Sequence, residues 1–196
     1  MTRAVALTIA GSDPSGGAGI QADLKTFHQF GVYGEAVITL LTVQNTVGVQ
    51  AVQVLSPDFV AAQLLAVLED IPPGAAKTGA LGSVDMVERI AFEASAFGFP
   101  LVVDPVMISK HGAPLMAVEA RLKLVELLLP ACALLTPNLH EAAAITRRPV
   151  GTLSEMREAS HAMLDLGAGA VLLKGGHLEG AAIDLLVWHG GELEFS

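Results

Sequence analysis

Residue types able to do chemistry fall in a few short stretches of this chain. The first is Gly11-Ser12-Asp13-Pro14-Ser15-Gly16-Gly17-Ala18-Gly19, with Asp23 one helical turn further on. A glycine-rich turn that feeds a helix N-terminus presents backbone N–H groups, and so suits an anion or a polar ring. A Walker A loop would need Gly-Lys-Ser/Thr here, but Gly16 is followed by Gly17. Gly17-x-Gly19-x-x-Ala22 fits the dinucleotide fingerprint. Its acidic partner is wanted at the end of the second strand, however, and Glu35 precedes that strand while Thr42 and Gln44 close it. Two plainer readings stay open: glycines that serve only a tight turn, and Asp23 as a first-turn acid favouring the helix dipole.

The other stretches follow apolar runs in the same way. Gln44-Asn45 is either a turn pair or an amide whose donor and acceptor suit the edge of a heterocycle. Lys77-Thr78-Gly79-Ala80 contains a glycine that permits close backbone approach. In Asp104-Pro105-Val106-Met107 the proline breaks the strand ladder and leaves a carboxylate at its end, a candidate Mg²⁺ ligand or general base. Thr136-Pro137-Asn138-Leu139-His140-Glu141 is close to a capping box, with Glu141 three residues after Asn138. Lys174-Gly175-Gly176-His177 offers a compact positive charge for phosphates, or a lysine that snorkels to water. The histidines, His111 and His177 among them, show no metal-ligand spacing.

The elements that must position these stretches alternate between short apolar runs and longer amphipathic ones. Strands are expected at 4–10, 36–43, 50–55, 75–78, 101–104, 131–136 and 170–174, with a hairpin formed by 183–188 and 192–195. Helices are expected at 18–30, 57–70 (capped by Ser56 with Pro57 at the first position), 83–97, 117–129, 138–146 and 153–166. This alternation implies βαβ crossovers and a mainly parallel sheet covered on both faces, with ligands at the carboxyl ends of the strands.

With 196 residues the chain is expected to form one domain (1–196), and its 52% hydrophobic fraction with 16% charged residues excludes a disordered chain. A net charge of -9 without a Lys/Arg-rich run argues against nucleic acid as a partner. No apolar run is long enough for a membrane span or a signal segment, so a cytoplasmic protein is expected. The single cysteine, Cys132, lies in an apolar run and reads as an inert buried thiol in mid-strand.

The run Leu7–Thr26 resembles the opening of the hydroxymethylpyrimidine/phosphomethylpyrimidine kinases of thiamine biosynthesis. So do Val43-Gln44-Asn45-Thr46, Val103-Asp104-Pro105-Val106-Met107, Leu135–Ala142 and Leu173–His177, collinearly along the whole chain. The resemblance implies a ribokinase-like three-layer α/β sandwich and ATP-dependent phosphorylation, with Mg²⁺, of a pyrimidine alcohol and then of its monophosphate. It also implies a homodimer. It places Gly11, Asp23, Gln44, Ala80 and Met107 at the pyrimidine and Asp104 and Glu141 at the metal. Asn138, Glu141 and Lys174 fall on the nucleotide side, with Lys174 and Asp104 supporting catalysis. Members of the family often carry Met where this chain has Ala80, which implies a roomier pocket. The family's Gly-Thr-Gly-type helix start, which supplies the anion hole and base late in the chain, has no match before Ser196, so a C-terminally truncated domain is expected. The alternatives are a pyridoxal kinase of the same fold and a non-catalytic pyrimidine or vitamin-binding module.

From Gln44 follows the first prediction. Gln44→Leu leaves ring polar groups unpaired and weakens pyrimidine binding by about 1–3 kcal/mol, read by calorimetry. An unchanged dissociation constant removes Gln44 from the site.

Overall fold

The computed structural model describes residues 3–107, 115–176, 178 and 182–196, so His111 and His177 lie outside the described residues. The elements in chain order are β1 (Val5–Ser12), α1 (Gly19–Gln29), β2 (Tyr33–Gln44), β3 (Val49–Val54), α2 (Pro57–Asp70), β4 (Ala75–Thr78), α3 (Val84–Ala94) and β5 (Leu101–Val103). They continue with α4 (Val118–Lys123), β6 (Leu134–Leu135), α5 (Leu139–Thr146), α6 (Leu153–Asp165), β7 (Ala170–Leu173), β8 (Asp184–Trp188) and β9 (Gly191–Phe195). The described strands form one sheet in the order β3-β2-β1-β4-β5-β6-β7-β8-β9. Pairing is parallel from β2 through β7 and antiparallel at β2–β3, β7–β8 and β8–β9. The expected α/β architecture is therefore present.

β1 shows why the sheet is parallel. Its residues from Leu7 to Gly11 are all buried, on both faces. A strand covered on both sides cannot alternate apolar with polar, which is the mark of a central parallel strand. Leu7 and Ile9 have no exposed surface, and burying each such side chain stabilises the fold by about 1.5–3 kcal/mol. The core continues through Leu64 of α2, Met86 and Ile90 of α3, Leu135 of β6 and Met156 of α6.

Local signals set several helix starts as expected. Ser56 Oγ accepts from the Phe59 N–H with Pro57 at the first helical position, and Ser83 Oγ accepts from the Met86 N–H. The α6 start is a second capping box, formed by Thr152 and Glu155. On the solvent side, Arg157 of α6 bridges to Glu192 and Glu194 of β9 and ties the terminal hairpin to its neighbouring helix.

Four expectations are corrected. β1 runs two residues further, to Ser12, through a register shift between Ala10 and Ser12. Glu35 lies inside β2 rather than before it, where burial and then the nearby Asp70 charge push its carboxyl above the usual range. The helix expected over 117–129 is α-helical only over Val118–Lys123. A π turn follows at Leu124–Leu128, closed by the Leu129 N–H on the Leu124 carbonyl, and then a 3-10 turn at Leu129–Ala131. Pro130 explains the change, because it has no N–H to continue the α ladder. The same turn shortens β6 to Leu134–Leu135, so Cys132 stands in the extended link before the strand rather than in its middle.

Candidate active site

β1 is the point where the chain reverses direction across the sheet: β2 lies on one side of it and β4 on the other. Crossovers that leave in opposite directions open a crevice at the carboxyl ends of the strands, where open α/β sheets bind ligands. A cavity of about 320 Å³ occupies that crevice. Gly11, Asp23, Gln44, Ala80 and Asp104 all line it, so most of the residues expected at a pyrimidine meet in one place. Leu40, Val106 and Leu115 add apolar wall. Met107 does not line this cavity. It is buried at 3% exposure and borders a second, smaller cavity of about 260 Å³ beside Arg121 and Ile145.

The glycine-rich turn is held from within. Asp13 is buried, and its carboxylate accepts from the Ser15 N–H and hydroxyl and from the N–H groups of Gly17 and Ala18. Burial raises the Asp13 carboxyl, but the Ser15 hydroxyl and the three N–H bonds outweigh it, and the net shift is downward. Three of the turn's N–H groups that the sequence offered to an external anion are thus already engaged by an internal one. Gln21 completes the turn, accepting from the Asp13 N–H and donating to the Ser12 hydroxyl. Gly19, at φ +57°, brings the helix start against β1. A Cβ there would collide with the carbonyl oxygen of Gly11, so no other residue permits this approach.

Asp23 lies beyond the first turn of α1, and the helix has no first-turn acid. The dipole reading gives way to a specific set of partners. Thr8 Oγ1 donates to Asp23 Oδ2 at 2.6 Å, and Lys77 Nζ lies 3.1 and 3.0 Å from Oδ1 and Oδ2. The Gln44-Asn45 pair divides: the Asn45 carboxamide accepts from Val47 and Gly48 to make the turn, while Gln44 faces the cavity.

A second cluster stands at the ends of β5, β6 and β7. Lys174 Nζ is 3.2 Å from Asp104 Oδ1, and the Lys174 N–H donates to the Pro137 carbonyl, placing Lys174 beside Asn138. Asn138 and Glu141 form the complete capping box of α5, each side chain accepting from the other's backbone N–H. Burial raises the Glu141 carboxyl, the Asn138 backbone bond opposes it, and the Asp104 charge raises it further. Two hard carboxylates that sense each other's charge suit Mg²⁺, which keeps most of its water and needs only one or two protein carboxylates. No group of three or more metal-ligating side chains occurs among the described residues. Cys132 is buried and its thiol is pushed up to about 11, which makes it inert as expected.

Sequence reasoning gave Lys77, Thr42 and Leu115 no place in this cavity. The signal for Lys77 was present. Alternation between the buried Ala76 and Thr78 turns it to the other face of β4, opposite Thr8 in register.

Known proteins resemble this chain over most of its length. A family model described as phosphomethylpyrimidine kinase matches residues 13–196. The chain is 49% identical over 199 residues to the hydroxymethylpyrimidine/phosphomethylpyrimidine kinase of Escherichia coli (strain K12), across 100% of this chain and 75% of that protein. The Bacillus subtilis (strain 168) protein of the same name is 46% identical over 173 residues, covering 88% of this chain and 64% of its own length. Among solved structures, phosphomethylpyrimidine kinase from Clostridium difficile 630 superposes with a TM-score of 0.92 at 45% identity, over 98% of this chain and 84% of that one. A Staphylococcus aureus pyridoxal kinase in complex with pyridoxal gives a TM-score of 0.88 at 32% identity, over 99% of this chain and 71% of that one.

The turn predicts a pH signature. The lowered Asp13 carboxyl contributes stability above its unfolded value, and that stability is lost as pH falls through the folded one. Asp13→Asn therefore destabilises by about 1–3 kcal/mol at pH 7, and the gap to wild type narrows on acidification. Urea melts at neutral and acid pH read it, and a gap independent of pH refutes it.

Proposed function

Because the chain belongs to the phosphomethylpyrimidine kinase family, we propose that it phosphorylates 4-amino-5-hydroxymethyl-2-methylpyrimidine with ATP, and then the monophosphate to the diphosphate, in thiamine biosynthesis. Its α/β sandwich is that of the ribokinase-like kinases. The observation that carries the reading is the convergence of Gly11, Asp23, Gln44, Ala80 and Asp104, from separate elements, on one cavity of about 320 Å³. That volume is at the small end of ligand pockets and suits a single ring.

The residues divide the work. Gln44 and Asp23 orient the ring by its polar edge, and Leu40, Val106 and Leu115 exclude water from its faces. This sets the hydroxymethyl arm on the Asp104 side of the cavity, where Lys174 stands as a compact charge for phosphate oxygens. Asn138 keeps its amide N–H groups for the nucleotide while its oxygen caps α5. Asp104 and Glu141 would hold Mg²⁺, which when bound offsets the charge of the transferring phosphoryl group. Catalysis of this kind is positioning plus electrostatics. A cytoplasmic location fits a kinase that draws on ATP, and among the described residues no helix is long and apolar enough to cross a membrane. A homodimer fits the exposed Leu41, Val43, Val47 and Val52 on the β2–β3 ribbon. The pyridoxal kinase reading has the short Ala80 side chain in its favour and the lower identity to pyridoxal kinases against it.

Calorimetry with the aminopyrimidine alcohol and with pyridoxal, alongside ADP release in Mg²⁺–ATP, tests the reading. Saturable one-to-one binding of the pyrimidine is expected. Binding of pyridoxal alone would overturn it.

The metal side has its own test. Glu141→Gln keeps the capping box, since Gln serves that role equally well, so the melting temperature stays close to wild type. Mg²⁺–ATP binding weakens. In wild type, because the Glu141 carboxyl is raised, Mg²⁺–ATP affinity falls on acidification before an ordinary glutamate would protonate. A Mg²⁺ dependence identical in the variant would leave Glu141 as a cap only.

A further inference from the structure

We propose that Lys77 is a positioning and specificity residue, acting with Asp23 to read the amino and ring-nitrogen edge of an aminopyrimidine; this rests on the function proposed above and deepens it. Lys77 is the one cationic side chain among the described residues that line the cavity. Its Nζ reaches both Asp23 oxygens, at 3.0 and 3.1 Å, and Thr8 donates to Oδ2 from beneath. A carboxylate has about four lone-pair sites and an ammonium three N–H donors. Among the described residues these bonds leave one acceptor site on Asp23 Oδ1 and one N–H on Lys77 Nζ.

Aspartate alone offers acceptors and lysine alone offers donors. Together they make a donor–acceptor pair, which is what an aminopyrimidine needs: its exocyclic amino group donates and the adjacent ring nitrogen accepts. Gly79 keeps the pair open to the cavity. A Cβ there would stand 3.6 Å from Lys77 Nζ and 2.8 Å from the Ala10 Cβ. The two side chains are only 23% and 18% exposed. An ion pair withdrawn from water to that degree contributes little to folding compared with apolar residues of the same size. Its placement on the cavity wall, at the switch point of the sheet, gives it a ligand to serve.

The test is calorimetry on the intact chain with two ligands, the aminopyrimidine alcohol and its analogue carrying CH in place of the ring nitrogen beside the amino group. Wild type prefers the aminopyrimidine by about 10- to 100-fold, the factor set by one lost hydrogen bond and the donor it leaves unpaired. In Lys77→Met that preference falls to within about threefold. Lys77→Arg, which keeps charge and donors, recovers part of it. If Lys77→Met does not fold, Lys77→Gln takes its place and the same ratio decides. A preference unchanged in the neutral variant, whatever the absolute affinity, overturns the proposal, as does an Arg variant that recovers none of it. Wild type that binds both ligands equally overturns this inference alone. Wild type that binds neither overturns the kinase reading and this inference with it.

Discussion

The Asp13 carboxylate is the contact on which the site depends. A tight turn carries backbone N–H groups with no partner in a helix or strand, and something must accept from them. Here the acceptor is the chain's own buried aspartate, bonded to Ser15, Gly17 and Ala18. The glycine-rich turn therefore closes over itself and becomes a wall. Because the turn is satisfied, α1 docks against Gly11 at Gly19, and the next turn of the helix carries Asp23 into reach of Thr8 and Lys77.

Charge is distributed across the strand ends by this arrangement. Around β1, β2 and β4 the polar groups are paired or amide-like, and the walls are apolar, which suits a small heteroaromatic ring. Around β5, β6 and β7 stand Asp104, Glu141 and Lys174, which suit phosphate and a divalent ion. Asp104 belongs to both: it lines the cavity and meets Lys174. In the proposed reading a ring bound in the first half has its reactive arm beside the second. The Gly-rich turn, which in P-loop enzymes would take the phosphates, lines the cavity of the first half instead.

Much of this was legible in the sequence, because much of it is local. Ser56 with Pro57, Ser83, and Asn138 with Glu141 each mark a helix start through contacts three residues apart. Gln44 and Asp104 stand at strand ends whose apolar runs announce them. What was not legible depends on partners far along the chain or on direction. Residue spacing left a dipole acid open for Asp23 because its partners, Thr8 and Lys77, are brought to it only by parallel pairing of β1 with β4. Met107 shares its strand end with Asp104, yet its side chain turns to the core, and no pattern over four residues shows which way a chain turns after Pro105. The π turn at Leu124–Leu128 hides in an apolar run that has the period of a helix, and only Pro130 hints that the helix cannot be carried through.

The position of β1 between β2 and β4 also sets an order of events for the nascent chain. Val5 pairs with Tyr33 on one side, while Ala6 on the other side pairs with Ala75, far later in synthesis. When β1, α1, β2 and β3 have left the ribosome, one edge of the buried strand β1 is still unpaired. A bare edge of that kind is a template for pairing with another chain, and contacts this distant in sequence form slowly. The interval before β4 emerges is therefore the stage at which this fold is most exposed to misassembly, and the stage at which a chaperone would have most to protect.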